Sequence, residues 1–94
     1  MASAIYITSG TTAATGADFP LESGTSRLFY CAPALGANES LTLSIKNADS
    51  TYSEVGVLAR SGEPAGTVTA TGAGTSTFRV SRSTVSPAKT VYFD

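Results

Sequence analysis

Apolar and polar residues alternate with a period of two along most of this chain, the spacing of a β-strand with one face inward. Ile5 and Ile7 alternate with Tyr6 and Thr8, which predicts a strand over Ala4 to Thr8 with both isoleucines on one face. Residues 9–18, SGTTAATGAD, read as a polar loop. Phe19-Pro20-Leu21 is short, and Pro20 has no N–H to give to a ladder, so it suits an edge strand or an extended arm. Glu22-Ser23-Gly24 is a turn. Residues 26–31 form a strand apolar on both sides, with Leu28 and Tyr30 on one face and Phe29 and Cys31 on the other. Such a strand lies between two layers or turns one face to a partner.

The second half is more regular. After a connection at 32–39, Leu41, Leu43 and Ile45 point inward and Thr42, Ser44 and Lys46 outward. Residues 47–50 make a hairpin turn into a return strand, Tyr52 to Arg60, that carries Val55, Val57 and Leu58. Gly56 inside it signals a bulge or a close backbone approach. A turn at 61–66 precedes a short strand from Thr67 to Thr71, and Gly72-Ala73-Gly74 reads as a tight hairpin. Phe78 and Val80 then alternate with Arg79 and Ser81, and Val91 and Phe93 face inward in a last strand from Thr90 to Asp94.

No window holds a 3.6-residue period over the roughly 10–12 residues that a helix needs. The prediction is an all-β fold, a small antiparallel sandwich or barrel of seven or eight short strands, with residues 1–94 forming one domain. Strand order is not legible at this level.

Composition narrows the function. Charged residues are 14% of the chain, against about 25% in ordinary domains, and 13 Ser and 14 Thr take their place. Six Lys and Arg scattered among seven Asp and Glu form no basic stripe, which argues against nucleic acid and against an anionic membrane surface. No stretch approaches the ~18 apolar residues of a membrane span. MASAIYITSG lacks the basic and apolar regions of a signal peptide. The lone Cys31 leaves no internal disulfide and reads as a buried thiol in a protein made in a reducing cytosol.

Candidate chemistry is sparse. The chain has no histidine, so the usual general base, the commonest metal ligand and every Ser-His or Cys-His pair are missing. One cysteine cannot build the usual zinc sites, and Asn47 to Ser50 offers calcium a single carboxylate. The seven acids sit in turns or near strand ends. Gly72-Ala73-Gly74 precedes a strand and lacks the Lys-Ser/Thr pair of a phosphate loop. Arg79 and Arg82, three apart on a strand, point to opposite faces and suit solvated or interface ion pairs. These features predict no enzyme, no cofactor and no metal. Tyr6, Tyr52 or Tyr92 would serve as a platform if the chain were a carbohydrate- or surface-binding module.

Residues 8–24, TSGTTAATGADFPLESG, and residues 77–94, TFRVSRSTVSPAKTVYFD, with the strand pair 41–46 and 52–58 between them, resemble a group of short tailed-bacteriophage virion proteins. Gly74, Phe78-Arg79-Val80 and Arg82 carry the likeness at the end of the chain. The resemblance implies a structural role, a capsid decoration (cement) protein on the virion surface, made in the host cytoplasm. Its partners would be the major capsid protein and itself, as a homotrimer. A tail, connector or baseplate component is the alternative. Phe19, Leu21, Phe29, Tyr30 and Arg82, with Leu28, are the candidate partner-contact residues, and each is equally suited to the core.

Overall fold

A computed structural model describes residues 4–61, 63 and 65–94. They form nine strands: β1 (Ala4–Gly10), β2 (Ala14–Thr15), β3 (Phe19–Glu22), β4 (Ser26–Ala32), β5 (Ser40–Lys46), β6 (Tyr52–Arg60), β7 (Gly66–Thr69), β8 (Thr75–Arg82) and β9 (Lys89–Phe93). One sheet has the order β1-β9-β4-β7. The other has the order β2-β8-β5-β6, with β3 also on β8. Every pairing is antiparallel, and the two sheets pack as a sandwich. The all-β prediction holds, and the sandwich is selected over the barrel. The ninth strand is β2, two residues inside the segment read as loop. The β5–β6 hairpin forms at the predicted turn.

The inward positions close the core. Phe29, Val68 and Val91 from the first sheet and Leu41 and Val80 from the second are almost wholly buried. Burying such side chains is worth about 1.5–3 kcal/mol each before the entropy of ordering them. β3 lies outermost on one side of β8, where the missing N–H of Pro20 costs no ladder bond, while Phe19 and Leu21 turn inward. The arm reading of this segment is thereby replaced: its partner strand is the chain's own β8. The accessible surface of 5206 Å² also matches the roughly 5,000 Å² that a compact monomer of this mass exposes.

Three local departures have clear causes. The β1–β9 ladder skips Tyr6 between Ile5 and Ile7. This bulge puts Tyr6 and Ile7 both inward and leaves Ile5 58% exposed, so the expectation that Ile5 shares a face with Ile7 is corrected. The β5–β6 ladder skips Val55 and Leu58, on either side of Gly56, so the predicted bulge is present and doubled. Finally, β7 and β8 lie in different sheets. The Gly72–Gly74 segment therefore crosses between layers and is not the hairpin expected. Of the predicted 61–66 turn, Gly62 and Pro64 lie outside the described residues.

Candidate interaction surface

The contact residues named from sequence separate by burial. Phe19 and Leu21 are each 6% exposed, Phe29 is fully buried and Arg82 is 2% exposed. A partner cannot reach these four without opening the sandwich, so they are corrected to core. Tyr30 is half-buried and Leu28 is 37% exposed. These two remain on the surface.

Arg82 closes one end of the sandwich. It follows Phe78 and Val80 on the inner side of β8, and it reaches across to the first sheet. Nη1 donates to the carbonyls of Thr8 at 3.1 Å and Lys89 at 2.7 Å, and Nη2 donates to Thr12 at 2.7 Å. Its Nε finds no acceptor among the described residues. The ion-pair expectation for Arg82 is therefore corrected: its guanidinium is held by backbone dipoles. Beside it, Lys89 pairs with Glu39, their side chains 3% and 9% exposed. Glu39 also accepts from the N–H groups of Gly36 at 2.6 Å and Ser86 at 2.9 Å. The Lys89 bond, then these two, hold its carboxyl down at about 2. Cys31 lies in the same core, and burial pushes its thiol up, as expected of a structural cysteine.

Two of the three proposed tyrosine platforms are occupied from within. Tyr6 meets Phe19, Phe29 and Phe93 edge-on, with ring centroids 5.0–5.9 Å apart. Burial raises its phenol. Tyr52 is covered by the Arg79 guanidinium 3.4 Å from the ring centre, and its hydroxyl donates to Asp18 at 2.6 Å. That bond, followed by desolvation, raises the Tyr52 phenol. Only Tyr92 remains on an outer face free of such cover, stacked on Tyr30 with centroids 5.2 Å apart.

The calcium candidate is a closed turn. Asp49 Oδ1 accepts from the Thr51 hydroxyl at 2.6 Å and the Thr51 N–H at 3.2 Å. Those bonds lower its carboxyl. An open groove of about 440 Å³ runs beside Asn38, Glu39, Ser40, Val57, Arg60 and Ser61, and its one carboxylate is the one bound to Lys89.

The two outer faces of the sandwich differ sharply in charge. On the second sheet, Arg79, Lys46, Glu54 and Glu22 all occupy outward positions. On the first sheet, Ile5, Tyr92 and Tyr30 lie in register across β1, β9 and β4, with Leu28 two residues along β4. The other outward positions on β4, β7 and β9 are Ser26, Ala32, Thr67, Thr69 and Thr90, and β1 adds the exposed Thr8 and Ser9, so no charged residue faces out within these four strands. Asp94 follows Phe93 with the outward spacing of Tyr92, its N–H bonded to the Leu28 carbonyl at 3.0 Å, so one carboxylate stands beside Leu28 at the end of this face. Depletion of charge together with aromatic enrichment is the composition of a protein-contact patch. Alternation along β4 and β9 made part of this face readable from sequence. The bulge at Tyr6 hid the contribution of Ile5.

Compared with protein-family models, curated proteins and solved structures, the chain finds no match.

Proposed function

We propose that this protein is a non-enzymatic structural component of a phage virion, a capsid decoration protein that bridges neighbouring major capsid subunits. The charge-poor, tyrosine-bearing face of the first sheet is the observation that carries the reading. It sits on a sandwich whose inner charged groups at one end, Arg82, Lys89 and Glu39, are all bonded within the fold. A domain of this kind acts by burying surface against proteins. Because it binds only the assembled shell, it stabilises that shell by mass action. The sequence resemblance points the same way and adds self-assembly, with three copies the number it implies.

The test is co-sedimentation of the purified protein with empty tailed-phage shells, combined with gold labelling of intact particles. Binding to shells and labelling of heads support the proposal. Labelling confined to tails moves the protein to the tail, connector or baseplate. Absence from particles, with binding to sugars that alters tyrosine fluorescence, replaces the proposal with a carbohydrate-binding module built on Tyr92 and Tyr30.

A further inference from the structure

We infer that Tyr30 and Tyr92 are a site of oxidative modification, where a one-electron oxidant of phenols (a haem peroxidase acting on hydrogen peroxide) couples the two rings into dityrosine and staples β4 to β9. The inference goes beyond the proposed function and does not depend on it, because the reaction belongs to the free chain, before a partner covers the face.

The fold brings the two reactants together. Tyr30 and Tyr92 are register partners on adjacent antiparallel strands and share the outer face of the first sheet. Their ring centroids are 5.2 Å apart and the planes lie within 20° of parallel. Cross-strand partners hold their Cβ atoms about 4.5–5.5 Å apart, so side-chain rotation alone carries one ring edge to the other. Both residues are half-buried, open to solvent yet held side by side.

The rest of the chain directs the coupling to this pair. It contains four tyrosines, no tryptophan and one cysteine, Cys31, which is buried. Tyr6 has Phe19, Phe29 and Phe93 around its ring, and Tyr52 lies under the Arg79 guanidinium. Neither has a second tyrosine against it, so a radical formed on either finds no phenol to join within the molecule.

The step balances. Each phenol gives up one electron and one proton and becomes a phenoxyl radical. A carbon–carbon bond then forms between one Cε of each ring, and the hydrogen on each of those carbons moves to the neighbouring oxygen, restoring both phenols. The chain loses two hydrogen atoms, and the two electrons and two protons reduce one hydrogen peroxide to two waters. Joining residue 30 to residue 92 closes a long loop, the kind of cross-link that most restricts the unfolded chain.

The experiment treats the dilute full chain with peroxidase and hydrogen peroxide, follows dityrosine fluorescence and maps the joined peptides by mass spectrometry. The expected product is a monomer lighter by two hydrogen atoms, with the peptides of Tyr30 and Tyr92 linked, in a yield independent of protein concentration. Its thermal midpoint should rise by about 10 °C or more. Tyr30→Phe and Tyr92→Phe keep the rings and should each abolish the product, whereas Tyr52→Phe should leave it unchanged. A native circular-dichroism spectrum before treatment confirms that each variant folds. Four outcomes overturn the inference: no dityrosine, coupling only between chains with a yield that climbs with concentration, an intrachain link that survives either phenylalanine at 30 or 92, or a linked chain that melts no higher than the untreated one.

Discussion

The hydroxyl of Tyr6 accepts a hydrogen bond from the N–H of Val80 at 3.0 Å, joining the first sheet to the centre of the second. The same hydroxyl donates to the carbonyl of Ala17. It fills the gap between β2 and β3, where the edge of the second sheet is interrupted and the Val80 N–H would otherwise lack a partner. Tyr6→Phe keeps the ring and removes both bonds. It leaves a part-buried N–H unsatisfied, a loss of about 1–3 kcal/mol. Urea denaturation of the two proteins measures it, and a change below a few tenths of a kcal/mol would show that water replaces the hydroxyl without cost.

Gly16 is the counterpart of that insertion. A Cβ there would lie 2.1 Å from Tyr6 Cε2 and 2.3 Å from Cζ, while the Gly16 N–H donates to the Val80 carbonyl at 2.9 Å. Gly16→Ala therefore forces the ring or the β2 backbone to move, a destabilisation of about 1–3 kcal/mol. Its cause is testable by a cycle with Tyr6→Val. If the clash is with the ring, the alanine costs much less in the valine background. Equal costs in both backgrounds would assign the effect to the backbone.

The strands of the second half were legible because nothing interrupts their alternation. In β8, Phe78 and Val80 face in and Arg79 faces out, as the pattern predicts. β1 was legible as a strand but not in its facing, because a bulge leaves no mark in a sequence such as Ile-Tyr-Ile. Sheet order was out of reach for a topological reason. Apart from the β5–β6 hairpin and the two short segments on β8, each strand passes to the other sheet, and local turn signals do not encode such crossings. The contact patch was half legible: alternation placed Leu28 and Tyr30 on one side of β4. It could not say which side of that strand was buried. Glu39 and Lys89 are separated by fifty residues and meet only because the loop before β5 folds over the start of β9.

Arg82 predicts a graded series. Arg82→Ala leaves the carbonyls of Thr8, Thr12 and Lys89 without their donor and opens a void between the sheets. A loss of about 3 kcal/mol or more follows. Arg82→Lys retains the charge, but one ammonium replaces the fork whose two nitrogens serve three acceptors. It should fall between the wild type and alanine. Thermal unfolding of the three proteins at pH 7 gives the order. A lysine variant as stable as the wild type would mean that charge alone, and not the guanidinium geometry, closes this end of the sandwich.

Glu39 gives the fold a specific acid sensitivity. Its carboxyl ordinarily titrates near 4.5 and is held down to about 2 by Lys89 and by the Gly36 and Ser86 N–H groups. A carboxyl depressed on folding binds fewer protons in the native state than in the unfolded one. Its stabilisation is complete above about 4.5 and drains away as the pH falls toward 2. Glu39→Gln removes that dependence and, by stripping the nearly buried Lys89 of its counter-charge, lowers stability at neutral pH. Thermal midpoints measured from pH 7 to pH 2 should therefore give two curves well apart at neutral pH that converge below 4.5. The other acids, Asp49 among them, act on both curves and drop out of the difference. Added salt should change the gap little, since ions screen an enclosed pair far less than an exposed one. Parallel curves across the whole range would show that the Glu39–Lys89 pair does not govern the acid limit of this fold.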